Sequence, residues 1–232
     1  MDYSVTPIAI VETPFKEKFA VPRQPRLTPS ATARVKLLGD ANSPEAVRGI
    51  EQFSHVWLLF LFDKNLAAGW TPTVRPPRLG GNERIGVFSS RSPFRPNGIG
   101  MSAVDLKGVT QVGDQCWLEL GSVDLVDGTP IVDIKPYIPY SDSIADSNGG
   151  FAQKEPSLLT VSFSRLADQQ LRFHANQNQV RAVISEVLAQ DPRPAYKKNK
   201  PDDKEYAVNL FDLNVKFKIR NEIVTVTAIE RF

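Results

Sequence analysis

A single cysteine, Cys116, and two histidines, His55 and His174, stand in a chain of 232 residues. One cysteine rules out an intramolecular disulfide framework, and the usual burial of free thiols places it inside a strand. The histidines lie far apart with no ligand spacing, so no dedicated zinc site, and no metal, is expected. No apolar run approaches the roughly 20 residues that a membrane helix needs. The longest, residues 56–62, is strand-sized, so no membrane partner is expected. Met1-Asp2-Tyr3-Ser4 lacks the basic and then apolar regions of a secretory signal, which makes a cytoplasmic location the default expectation. Also missing are a GxGxxG after a first strand, a Walker loop, a GxSxG elbow and an HExxH pair. Nucleotide hydrolysis, serine hydrolysis and zinc chemistry are therefore poor fits. The formal net charge is only +2. Residues 1–150 carry 15 Lys+Arg against 16 Asp+Glu, and residues 151–232 carry 13 against 10. An anionic partner must therefore be met by local patches and not by the field of the whole molecule.

With 41% apolar and 23% charged residues, the chain has the composition of an ordinary globular protein. Short apolar runs at residues 8–11, 35–38, 56–62, 84–88, 101–106, 116–120 and 131–134 are the expected strands, separated by Gly, Pro, Asn and Asp. This spacing predicts an antiparallel β-barrel or a sandwich. Residues 56–62 are apolar on both faces and should be central in a sheet. Ser43 as cap, Pro44 at the first position and Val47 and Ile50 on one face predict a short helix over 43–53. Residues 141–156 are rich in Ser, Asp, Asn, Gly and Pro and read as a long loop. Beyond it, residues 158–163 suit a strand, and Val180, Val183, Ile184, Val187 and Leu188 share one helical face that ends before Pro192 and Pro194. Two alternating segments around Arg220-Asn221-Glu222 predict a hairpin. The expectation is a mainly β protein with a β unit over residues 1–145 and a smaller α+β unit over 155–232.

Residues 74–97 (VRPPRLGGNERIGVFSSRSPFRPN) hold Arg75, Arg78, Arg84, Arg91 and Arg95, with no lysine and one acid, Glu83. A merely solvated face mixes Lys and Glu. Arginine without lysine suits bidentate or stacked contacts with a phosphate or planar partner, and the prolines and glycines lower the cost of ordering it. The competing reading is a rigid connection whose arginines pair with the protein's own acids. Residues 124–137 (DLVDGTPIVDIKPY) place Asp124, Asp127 and Asp133 in an otherwise strand-like run. A hairpin tip closed by an Asx-type bond explains Asp127 and Gly128 but leaves Asp124 and Asp133 unexplained. Two carboxylates beside exposed turn backbone suit a ribose diol or an ammonium group. Residues 15–26 interleave Lys16, Lys18, Arg23 and Arg26 with Phe15, Phe19 and Pro22, which suits phosphates and stacked bases as well as a plain exposed connection. Residues 189–200 add Arg193, Tyr196, Lys197, Lys198 and Lys200 after a helix end, where cations are favourable in any case.

Six segments in order, VPRQP (21–25), SHVWLLF (54–60), RPPRLGGN (75–82), GVFSSRSPFRPN (86–97), DLVDGTPIVDIKPY (124–137) and AQDPRPAY (189–196), closely resemble the TrmO family, also called YaeB or TsaA-like proteins. The resemblance covers essentially the whole chain. It implies a β-barrel methyltransferase that works as a homodimer with S-adenosylmethionine (SAM). The implied reaction is N6-methylation of threonylcarbamoyladenosine, the nucleoside just 3′ of the anticodon (adenosine 37), so the implied partner is the tRNA anticodon stem-loop. Carried onto this sequence, Pro22, Arg23, Gln24, Arg91, Met101 and the turn Asp124, Leu125, Val126, Asp127, Gly128 and Thr129 match the family's SAM-contacting motifs. Asp63 and Lys64, at the end of the central strand, are further candidates for SAM contact that depart from the His-Gln of the bacterial members the chain resembles, and Gly98 stands where proline is usual in them. Arg75, Arg78, Arg95, Arg193, Tyr196, Lys197 and Lys198 are expected to meet tRNA. Asp127 and Asp133 are the candidates for accepting a proton. The alternatives are a non-catalytic RNA-binding or regulatory module on the same fold and, more remotely, a hydrolase of a phosphate ligand.

Overall fold

The computed structural model describes residues 3–194, 197 and 203–232. Eight strands precede residue 137: β1 (Ala9–Glu12), β2 (Ala33–Leu37), β3 (His55–Leu61), β4 (Thr73–Val74), β5 (Ile85–Gly86), β6 (Ile99–Val112), β7 (Gln115–Leu120) and β8 (Pro130–Pro136). Six of them close into a barrel in the order β1-β2-β7-β6-β3-β8, with β8 returning to β1 and every pairing antiparallel. Closure removes the unpaired edges that an open sheet would present. The alternation of side chains dictates the inside: Ala33, Val35 and Leu37 turn inward from β2 while Arg34 and Lys36 point out. Val11, Val35, Val56, Leu58, Val104, Leu118 and Ile131 are fully buried, and Cys116 is buried with them.

β3 is paired on both sides, yet its two faces differ. Val56, Leu58 and Phe60 fill the barrel, whereas Trp57, Leu59 and Leu61 are only half-buried on its outside. Residues 43–53 do not form the expected α-helix. They run through successive tight turns, with Ala46, Arg48, Ile50 and Gln52 each donating to the carbonyl three residues back, and end in a 3-10 turn at Ile50–Gln52. Gly49, in the left-handed region at φ 83°, breaks the helical path that Val47 and Ile50 would have shared. Residues 84–88 give only the two-residue β5, followed by a 3-10 turn.

Short helices α1 (Asp63–Leu66) and α2 (Pro139–Asp142) flank the barrel, and loop dominates residues 143–159. Then come β9 (Thr160–Phe163), α3 (Arg165–Leu171), α4 (Gln177–Ala189), β10 (Tyr206–Leu210), β11 (Leu213–Arg220) and β12 (Ile223–Arg231). The second sheet has the order β10-β11-β12-β9, with β9 parallel to β12. All five apolar residues of the predicted α4 face are buried. Asn221 and Glu222, both at positive φ, make the two-residue turn between β11 and β12. The periodicity reading missed α3 and β10. Seven residues are too few to display helical spacing, and α3 is held instead by Ser164, whose hydroxyl accepts from Ala167 N. Among the described residues, no helix is long and apolar enough to cross a membrane.

The barrel and the second sheet share one continuous core. Phe15, fully buried, pairs with Leu210 in an isolated bridge. Asn209 N donates to Glu17 Oε1, and Ser30 gives both its amide and its hydroxyl to Glu186 on α4.

Candidate functional site

The segments singled out along the chain meet at one end of the barrel. Gln24 accepts a 2.5 Å hydrogen bond from Arg91 Nη1, so the 21–25 loop touches the arginine segment. Lys64, on α1 just after β3, donates to the Asp127 carbonyl at 3.3 Å, and Lys18 donates to the Lys64 carbonyl at 3.0 Å. Lys16 pairs with Asp127 Oδ2 at 2.8 Å. Four segments far apart in sequence (15–24, 63–64, 91 and 124–129) are thus stitched together. Lys64 thereby puts a cation against the acidic turn.

The three aspartates occupy different environments. Asp127 is spoken for: Thr13 N donates to its Oδ1 at 2.9 Å, Lys16 holds its Oδ2, and its own amide donates to the Phe15 carbonyl. It pins the turn to the barrel, as the hairpin-tip reading has it. Asp133 lies opposite Leu59, which lies opposite Met101. Directly paired residues share a face, so Asp133 is on the barrel's outer side, and there it pairs with Lys135 at 2.7 Å and with the Ile134 amide. Asp124 is half-buried and, among the described residues, pairs with no lysine. Its Oδ1 takes a 2.5 Å hydrogen bond from Ser102, a buried hydroxyl on β6. Burial pushes its carboxyl up from 3.8 to about 6, against the opposing effects of the Ser102 hydroxyl, its own amide and the Arg91 charge. Two residues earlier, the buried Ser122 hydroxyl has no hydrogen-bond partner among the described residues. Met101 is 54% exposed at this end of β6.

Among the described residues, none of the five arginines in 74–97 pairs with a carboxylate, so the self-pairing reading of that segment does not hold. They divide instead by what they touch. Arg95 donates to the Ser90 and Ser92 carbonyls and braces its own loop. Arg78 donates to the Lys154 carbonyl, and Arg84 makes a long bond to Thr73. Arg75 is exposed and Arg91 reaches Gln24. The two-stranded β4–β5 ribbon presents this segment beside Trp70 and Phe88, which are 54% and 78% exposed. Exposed rings among unpaired guanidiniums are the composition of a surface for stacked bases and phosphates. Gly98 sits at φ 59°, where a Cβ would collide with Leu66, so the proline usual in the family does not suit this loop's path.

On the far side of the 21–25 loop, Lys18, Phe19, Pro22, Arg23 and Pro77 face Val187 and residues 190–194 across a cleft of about 240 Å³. Arg193 is buried and bound bidentately to Asp191 at 2.9 and 3.0 Å. Burial, then the neighbouring Arg78 guanidinium, lowers the affinity of Arg23 for its proton, and Asp191 opposes both. Lys197 is half-buried, while Tyr196 and Lys198 lie outside the described residues. Reading the sequence did not single out Ser102, Ser122, Trp70 or Phe88. A serine in a strand and an aromatic in a loop carry no local mark of function; their neighbours confer it.

Residues 10–143 match the model of the tRNA-methyltransferase O N-terminal domain, and residues 156–232 match that of the TrmO C-terminal domain. The chain is 51% identical over 225 residues to the tRNA (adenine(37)-N6)-methyltransferase of Escherichia coli K12, covering 96% of each. It is 47% identical over 217 residues to a putative S-adenosylmethionine-dependent methyltransferase, RcsF, of Pseudomonas aeruginosa, covering 93% of this chain and 92% of the other. The crystal structure of TrmO from Pseudomonas aeruginosa superposes with a TM-score of 0.82 at 39% identity, over 99% of both chains. On sequence, on fold and across both halves, the chain belongs to the tRNA-methyltransferase O family.

Proposed function

We infer that this protein is a SAM-dependent tRNA methyltransferase that adds a methyl group to N6 of adenosine 37, in its threonylcarbamoylated form, beside the anticodon. The observation that carries the reading is the meeting of the 21–25 loop, Lys64, Arg91 and the 124–129 turn at one end of the barrel. The residues present fit SAM by their chemistry. Arg91 and Gln24 suit its carboxylate, and Asp63 and the backbone of Leu125, Val126, Gly128 and Thr129 suit its ammonium and ribose hydroxyls. Pro22, the Arg23 stem and the exposed Met101 offer apolar contact, and the orphaned Ser122 hydroxyl is a group that a polar ligand satisfies. When bound, SAM supplies an electrophilic methyl group. The chain supplies alignment, which for a direct displacement is the larger part of the work.

The tRNA is met by Arg75, by Arg78 and Arg95 as braces of the surface that carries Trp70 and Phe88, and by the cleft lined with Arg23 and Arg193; Tyr196, Lys197 and Lys198 are further contacts proposed on sequence alone. The chain works as two units, 1–145 and 155–232, and the cleft between them gives the second unit a part in substrate binding. An RNA binder without chemistry needs no half-buried carboxylate held by a buried hydroxyl, as Ser102 holds Asp124. Incubating the protein with tRNA and SAM, digesting to nucleosides and weighing them tests the function. A gain of one methyl on threonylcarbamoyladenosine is expected; a gain elsewhere overturns the substrate, and no gain overturns the reaction.

The active form is a homodimer in the cytoplasm, joined through the outer face of β3 and β6. Trp57, Leu59, Leu61, Ile99 and Met101 make an apolar row there on strands whose outer residues water would otherwise select to be polar. A second copy of the same row is its natural cover, because a two-fold interface is self-complementary. Light scattering is expected to report twice the chain mass for the wild type and a monomer for Leu59→Glu. A monomeric wild type would refute the assignment.

A further inference from the structure

We propose that Asp124 takes the proton from the substrate's exocyclic nitrogen during methyl transfer, held in place for that task by the Ser102 hydroxyl. This rests on the methyltransferase reading above. The substrate N6 is a poor nucleophile because its lone pair is shared with the purine ring and the carbamoyl carbonyl. As N6 bonds to the methyl carbon, the carbon–sulfur bond breaks and its pair stays on sulfur, cancelling the sulfonium charge. The N6 proton must leave in the same event. Passing it to a carboxylate yields a neutral acid, a neutral thioether and a neutral methylated base, and the acid then returns its proton to water.

Only one of the three aspartates in the 124–137 run is free to do this. Lys16 and Thr13 occupy both oxygens of Asp127, and Lys135 and the Ile134 amide occupy those of Asp133. Among the described residues, Asp124 makes no ion pair. It accepts from Ser102 and from its own amide, which leaves about two of its roughly four lone-pair positions open. Two residues earlier in the chain, the buried Ser122 hydroxyl has no hydrogen-bond partner among the described residues. A carboxyl raised to about 6 is still mostly ionised at neutral pH, yet is a stronger base than an ordinary aspartate. The groups acting on it are Arg91, from the loop before β6, and Ser102, on β6 itself.

The test uses the full chain, tRNA and saturating SAM in single-turnover reactions read by nucleoside mass spectrometry. For Asp124→Asn the rate is expected to fall about 100-fold or more, with SAM affinity by calorimetry unchanged. The wild-type rate should climb with pH and level off above about 6, and Ser102→Ala, which removes a bond that lowers this pKa, should move the midpoint upward. A wild-type rate in Asp124→Asn, a loss of SAM affinity in step with the rate, or an unmoved midpoint in Ser102→Ala each overturns the proposal. A wild-type protein that methylates no tRNA overturns the underlying reading instead. The variant is expected to fold. Folding raises the Asp124 pKa, so the stability that this group contributes is full below pH 3.8 and is lost as the pH rises through about 6. An uncharged Asn avoids that loss, and above pH 6 its melting temperature should equal or exceed the wild type's.

Discussion

Phe15→Ala is expected to lower the unfolding free energy by about 3–5 kcal/mol, more than any single change in the arginine segment. Phe15 is fully buried where the barrel meets the second sheet. Its amide donates to Thr13 Oγ1, and its carbonyl receives the Asp127 amide that anchors the acidic turn. Removing the ring leaves a cavity bordered by both sheets, which neither can close without separating from the other. Urea unfolding followed by fluorescence and by far-ultraviolet dichroism should show a lower midpoint by both probes. The same variant should bind SAM more weakly, because the turn hangs on this residue's backbone. A midpoint unchanged within error would mean that the two units are energetically independent.

Arg91→Ala is expected to weaken SAM binding about 10- to 100-fold, the worth of a charge-assisted hydrogen-bonded pair, with little effect on the salt dependence of tRNA binding. Arg75→Ala should do the reverse. Arg75 is exposed and makes no ion pair among the described residues, so it suits a phosphate contact, and its loss should reduce the slope of log affinity against log salt by about one counterion. Arg78 and Arg95 are expected to behave differently from both. They hold backbone carbonyls at Lys154 and at Ser90 and Ser92, so replacing them disorders the surface and does not simply delete a charge. Calorimetry with SAM and filter binding of tRNA at several salt concentrations separate the three cases. Identical behaviour of Arg75→Ala and Arg91→Ala would refute the division.

The strands of the barrel were legible because alternation is a local property: Ala33 to Leu37 announces its own inside and outside. The helix over residues 43–53 was misread because capping residues and two apolar positions say nothing of a glycine that takes φ 83°. Val56 to Phe62 looked buried on both faces. In the barrel one of those faces is half-exposed, because alternation along a strand sends every second side chain outward whatever its character.

The motifs by themselves determined the family, the β-rich class and the segments that matter. Arginine without lysine, an aspartate run and a proline-bounded loop are chemical choices that composition records directly. Only the tertiary structure decided which aspartate is free. Asp124, Asp127 and Asp133 are the same residue within ten positions of one another, and sequence treats them alike. Lys16 and Thr13 reach one, Lys135 and the Ile134 amide claim another, and the third has only the Ser102 hydroxyl, its own amide and the Arg91 charge about it. The basicity of a carboxylate is set by the water and charges around it, and those neighbours are assembled only when the barrel closes.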